Sequence, residues 1–159
     1  MKENAVICVK HITMLAEFLK IYERDLVRLE TEIAAFKNED NLWRVEGGIT
    51  NSAGNLCLHL IGNLSTYIGR DMGGVNYVRN RDAEFSTKHI ARAKLIEQVS
   101  ETRKTILFSL SSMKPADLEE LFKEEVLGFS MTNGFFLIHL TAHLSYHLGQ
   151  INYLRRILE

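Results

Sequence analysis

Apolar residues recur at alternating intervals of three and four along much of this chain, and Pro115 is its sole proline among 159 residues. That combination limits the fold more than any other feature. Alternating threes and fours trace one face of an α-helix. Scarce proline leaves such helices uninterrupted. The first seam is Leu15, Leu19, Tyr22, Leu26, Leu29, Ile33 and Phe36, with Lys20, Glu23, Arg24, Arg28 and Glu32 mostly on the other faces. It predicts a long helix ending near Asn38-Glu39-Asp40. Residues 39–50, with Trp43 and Gly47-Gly48, read as a loop.

Asn51 or Ser52 is placed to cap a second helix through Leu56, Leu60, Leu64 and Tyr67, stopping around Gly69–Gly74. A loop at 75–85 follows, longer than a bundle hairpin usually needs and so a candidate functional loop. Ser86 or Thr87 is placed to cap a third helix with Leu95, Val99, Thr102, Ile106, Leu110 and Met113 along its seam. Pro115 suits the start of a short helical turn at 115–122. The segment Glu124–Phe129 reads as irregular. Ser130, Thr132 or Asn133 then caps the last helix, whose seam is Leu137, Leu140, Leu144, His147, Ile151, Leu154 and Leu158. Arg155 and Arg156 complement the dipole of its last turn. Four long amphipathic helices without a convincing strand predict an all-α four-helix bundle, one domain over residues 1–159.

Several function classes are disfavoured at once. The formal net charge is −1, with basic and acidic residues interleaved, so no positive field exists for a nucleic-acid backbone. The apolar run Ala5–Val9 is too short for a signal peptide or a membrane span, which predicts a cytoplasmic protein off the membrane. Cys8 and Cys57 are far apart and form no CxxC unit. They read as small buried hydrophobes in a reducing compartment.

The chemistry points to histidine. His139, His143 and His147 form H-x-x-x-H-x-x-x-H on the last helix, and His59 lies inside the second. Histidines four apart project only about 40° apart and about 6 Å along the axis, so consecutive ones can share one ion. His147 occupies a seam position and His143 flanks it, whereas His139 sits roughly 100° from the seam centre. The pair selected is His143 and His147, with His59 as the third ligand from a neighbouring helix. Isolated helical histidines are usually just packed or solvated; the seam pairing singles these out. Three neutral imidazoles suit Zn²⁺ or Ni²⁺ and leave a position for water or substrate. His11 and His89, at helix beginnings, receive no role.

The final helix reads His143-Leu-Ser-Tyr-His147-Leu-Gly149-Gln150-Ile151. This HxxxHxGQI pattern resembles the last helix of the DinB-like, or YfiT-like, superfamily. Asn51–Leu60, containing His59, resembles that family's second helix with its single ligand histidine. The loop Tyr77–Ser86 resembles one branch of the superfamily. The resemblance implies an up-down-down-up bundle, frequent homodimers, and a metal site made by His59, His143 and His147. It also implies activities such as thiol-S-transfer with low-molecular-weight thiols, or metal-dependent hydrolysis of a small molecule. No motif selects among these, and a non-catalytic, metal-stabilised dimeric bundle is the alternative.

Supporting roles are less determined by sequence. Arg79, Arg81 and Glu84 are placed to reach a site mouth and bind an anionic substrate, though loop salt bridges are the commoner role. Tyr67 and Tyr146 offer hydroxyls near the metal, with packing the commoner role. A ligand histidine normally donates its other ring N–H to an acceptor. Asn55, Asn63, Gln150 and Asn152 are the candidates.

Overall fold

In the computed structural model the described residues are 2–159, with side chains from residue 14 onward. The side chains of Cys8, His11 and the Ala5–Val9 run lie outside the described residues. Helix α1 spans Lys2–Ala34, α2 Ala53–Leu64, α3 Arg81–Ser86, α4 Arg92–Ser112 and α5 Asn133–Leu158. Short 3-10 turns cover Glu39–Leu42 and Pro115–Leu118. There is no strand among the described residues; a lone antiparallel bridge pairs Leu121 with Thr132.

Local chemistry sets the helix ends. Ser52 caps α2 by accepting from the Asn55 amide, and Thr132 caps α5 by accepting from the Phe135 amide. Helix α2 continues without a break into a wider π-helical coil, Ser65–Met72. There α2 comes close to α4. A Cβ on Gly73 would lie 2.0 Å from Ser109 Oγ, so only glycine permits that approach.

Cross-helix bonds fix the directions. Arg103 Nε donates to Glu30 Oε1 at 3.0 Å and the Arg92 amide donates to Glu39 Oε1 at 2.8 Å, so α4 starts where α1 ends. Tyr22 Oη donates to the Leu137 carbonyl at 2.9 Å and Asn152 Nδ2 to Glu32 Oε1 at 2.8 Å, so α5 runs parallel to α1. Gly69 and Gly73 of the π coil face Thr105 and Ser109, which makes α2 parallel to α4. His59 meets His143, and Tyr67 meets Phe136, so α5 runs antiparallel to α2. The order is up-down-down-up, with α4 and α5 each packed between α1 and α2.

One core runs through all four long helices and includes Tyr22, Leu29, Ile33, Leu60, Ile106 and Phe136, each essentially inaccessible. Burying a side chain of that size stabilises the fold by about 1.5–3 kcal/mol. Cys57 is in this core, and burial pushes its thiol up to about 12, so it is a packing group and not a nucleophile. None of the described helices is long and apolar enough to cross a membrane.

Three boundaries differ from the sequence expectation. Helix α1 ends at Ala34, and Phe36 reaches the core from beyond it. Ser86 and Thr87 do not start the third long helix. They end the additional helix α3, and α4 begins only at Arg92. His89 is consequently not at a helix start. It lies in the linker before α4 with φ of 59° and its ring 6.5 Å from that of Trp43.

Candidate metal centre

Helix α2 carries His59 into the seam between α2 and α5, where His143 and His147 project from consecutive turns of α5. The three rings converge through Nε2. His59 Nε2 and His147 Nε2 each lie 3.2 Å from His143 Nε2. Ligand atoms of the three all lie within 4.8 Å of one another, and they form the only such group among the described residues. Tetrahedral Zn²⁺ with Zn–N of about 2.0–2.1 Å places its nitrogens roughly 3.3 Å apart. The spacing fits.

Proton placement makes the fit stronger. His59 Nδ1–H donates to Glu84 Oε2 at 2.9 Å, and His147 Nδ1–H donates to Gln150 Oε1 at 2.7 Å. Both partners accept, so both Nε2 atoms present lone pairs. A neutral His143 can donate Nε2–H to only one of them. Its own Nδ1 is buried without a hydrogen-bond partner. At least one Nε2 lone pair is therefore left without a proton to accept, a cost that a divalent cation among the three nitrogens removes.

All three imidazoles have lowered proton affinity. Burial is the main cause in each case, and it takes His143 from 6.5 to about 4; the neighbouring His147 and His59 add to that shift. For His59, the hydrogen bond and charge of Glu84 oppose the effect without cancelling it. Neutral imidazole is the metal-binding form. The sign of the pH dependence follows. Below the ordinary value of 6.5 the unfolded chain takes up protons that the folded chain refuses, so stability present above that pH is lost as pH falls. Thermal melts of metal-free protein between about pH 7 and pH 5 should show a falling Tm, and His143→Gln should flatten part of that fall.

For Glu84 the sequence reading favoured a salt bridge, which is present, but on a loop. It is not a loop charge at a site mouth but a buried side chain of α3, 6 % exposed. Arg79 grips it through two bonds, Nε to Oε1 at 2.7 Å and Nη2 to Oε2 at 2.9 Å. Salt bridging is thus the role of this pair, and Arg79 is committed to it. Asn55 holds the same segment from α2: its Nδ2 donates to the carbonyls of Glu84 and Thr87, both at 2.9 Å. Of the four amides considered as partners for the ligand histidines, Gln150 is one. Asn55 acts one step further out, Asn152 bonds Glu32, and the Asn63 Oδ1 is buried without a partner.

Room for Glu84 depends on Gly62. A Cβ there would stand 2.0 Å from Glu84 Oε1. The carboxylate is pinned on both sides and has nowhere to swing. Gly62→Ala should raise helix propensity by about 1 kcal/mol yet weaken metal affinity about tenfold, measured by chelator competition.

His139 is half-buried, stacked between Phe136 and His143 with ring centroids 6.0 and 6.2 Å away, and lies outside the ligand group. Tyr67 packs edge-on against Phe122 and Phe136 beneath the Arg79 guanidinium. Tyr146 is exposed, its ring 5.2 Å from that of His147.

Residues 9–159 match the model of the family described as "Protein of unknown function (DUF1572)". The chain belongs to that family. Among solved structures, the chain is similar to a DinB-like protein from Bacillus cereus, with a TM-score of 0.69 and 16% sequence identity, covering 87% of this chain and 89% of that one. Likeness at that identity is a likeness of fold, and the bundle is DinB-like. No curated protein matches the chain.

Proposed function

We propose that this protein binds Zn²⁺ or Ni²⁺ through His59, His143 and His147, and uses it to activate a thiol or water for thiol-S-transfer or hydrolysis of a small molecule. The observation behind this reading is the convergence of three Nε2 atoms with no fourth ligand among the described residues. Three neutral ligands leave the ion's charge intact and a position free for substrate, the arrangement of catalytic sites more often than structural ones. A cation held there lowers the pKa of a water or thiol and so supplies a nucleophile near neutral pH. Glu84 and Gln150 fix the rings of His59 and His147 and raise their basicity as ligands. They are positioning residues.

The competing reading is a metal that only ties α2 to α5 in a dimeric bundle. It expects no cavity beside the ion. A cleft of about 500 Å³ has His147 in its wall, but neither His59 nor His143. The test is turnover by tag-free, metal-loaded protein. Bacillithiol, mycothiol and glutathione would be supplied with monochlorobimane as acceptor, and a panel of simple esters would be run beside them. The expected result is activity in one panel that chelation removes and His143→Ala lacks. Silence across both panels with fully loaded protein would leave the non-catalytic reading.

A further inference from the structure

The three histidines of the cluster are unevenly supported. His59 and His147 each have their Nδ1 held, by Glu84 and by Gln150. The Nδ1 of His143 is buried and has no partner, although its Nε2 is the hub of the cluster. A ligand histidine normally donates this second ring N–H to an acceptor, which fixes the ring and raises its basicity. Among the described residues two buried side-chain oxygens also lack a partner, Asn63 Oδ1 and Gln98 Oε1. Gln98 belongs to α4, which packs against α1 and α2. Asn63 belongs to the seam that carries the histidines.

Helix register places it there. Asn63 follows His59 by one turn of α2, about 40° round the axis, and comes one turn before Tyr67. The His59 ring lies 5.1 Å from that of His143, and the Tyr67 ring 5.1 Å from that of Phe136. Because α5 runs antiparallel, Asn63 stands level with the stretch of α5 between Phe136 and His143, on the face that meets it. Asn63 is only 8% exposed.

Tautomer chemistry accounts for both atoms lacking a partner together. Without metal, the single ring proton of neutral His143 is best used on Nε2, where both neighbouring histidines present lone pairs. Nδ1 is then an acceptor, and an acceptor forms no bond with an amide oxygen. Ligation through Nε2 needs that nitrogen's lone pair, so the ring proton must sit on Nδ1 instead. The proton count of the ring is unchanged, but Nδ1 becomes a donor, the kind of partner Asn63 Oδ1 requires.

We infer that Asn63 is the positioning residue for His143, its Oδ1 accepting from His143 Nδ1–H in the metal-bound protein and completing the set begun by Glu84 and Gln150. The inference rests on the metal reading above. Chelator competition for Zn²⁺ and proton–nitrogen NMR of the histidine rings would be run on tag-free wild type, Asn63→Leu and Asn63→Asp. Zn²⁺-loaded wild type should show a His143 Nδ1–H protected from exchange with water, and metal-free wild type should carry the proton on Nε2. Asn63→Leu, close to asparagine in size, should bind Zn²⁺ about tenfold or more weakly. Its His143 Nδ1–H should lose protection while those of His59 and His147 keep theirs, a selectivity that a general loosening of the bundle would not produce. Asn63→Asp keeps an oxygen at this place and should restore affinity and protection. Wild-type affinity in Asn63→Leu, or equal loss of protection at all three rings, would overturn the pairing. Should Asn63→Leu not fold, an unprotected His143 Nδ1–H in loaded wild type or in Asn63→Asp would overturn it as well. No Zn²⁺ uptake by wild type would overturn the metal reading and the pairing with it, whereas uptake without any effect of Asn63 would overturn the pairing alone.

Discussion

Replacing His143 with alanine is expected to abolish metal binding and the stabilisation that comes with it. His143 Nε2 is the hub of the cluster, 3.2 Å from both of the other Nε2 atoms. Its removal leaves two ligands on different helices and no bridge between them. In wild type, free metal at about a hundred times its Kd should add about 2.7 kcal/mol of stability, a Tm rise of several degrees for a chain of this size. Differential scanning calorimetry with and without metal should show that rise in wild type and none in the variant. The metal-free proteins should melt close together, because the substitution relieves a half-buried, partnerless imidazole nitrogen while leaving a small void. An undiminished metal-induced shift in His143→Ala would remove this residue from the ligand set.

The second large effect is expected at Glu84. Truncation to alanine strips the acceptor from His59 Nδ1 and leaves Arg79, only 14% exposed, without its bidentate partner. Loss of the partner to a ligand histidine typically costs 10–100-fold in metal affinity. Breaking a buried ion pair from one side costs about 3–5 kcal/mol. Both should appear in Glu84→Ala, the first in chelator competition and the second in urea unfolding of metal-free protein. Glu84→Gln separates the two. Its amide oxygen still accepts from His59, so metal affinity should be largely kept, but it cannot neutralise Arg79, so the stability loss should persist in part. If Glu84→Ala binds metal like wild type, the carboxylate serves only the salt bridge.

Much of the three-histidine cluster was legible because its parts are local. His143 and His147 are one turn apart on a seam, and Gln150 follows His147 by three residues on the same helix, so helical periodicity alone brings them together. The choice of His143 over His139 rested on the same arithmetic, and the structure leaves His139 outside the ligand group. His59 was placed by its position inside a second amphipathic helix. Glu84 was not legible in this way. It is 25 residues from His59, and its approach depends on α3, a six-residue helix too short to show a periodic seam. Flanked by Arg79 and Arg81, it has the local look of a solvated loop charge. Ser86 and Thr87 added to the error, since small hydroxyl residues before a helical stretch suggest an N-cap, whereas here Thr87 closes α3. One signal was present. Gly62, one turn after His59 in a helix interior, costs about 1 kcal/mol relative to alanine and so marks a place where another chain segment comes close.

The most direct test of the central claim is reconstitution of tag-free protein with Co²⁺, followed by metal analysis and X-ray absorption. Three imidazoles converging through Nε2 predict about one equivalent of metal, with a shell of three nitrogen donors near 2.0–2.1 Å and at least one exchangeable light atom. Less than about a tenth of an equivalent, or a shell without imidazole scattering, would contradict the three-histidine site.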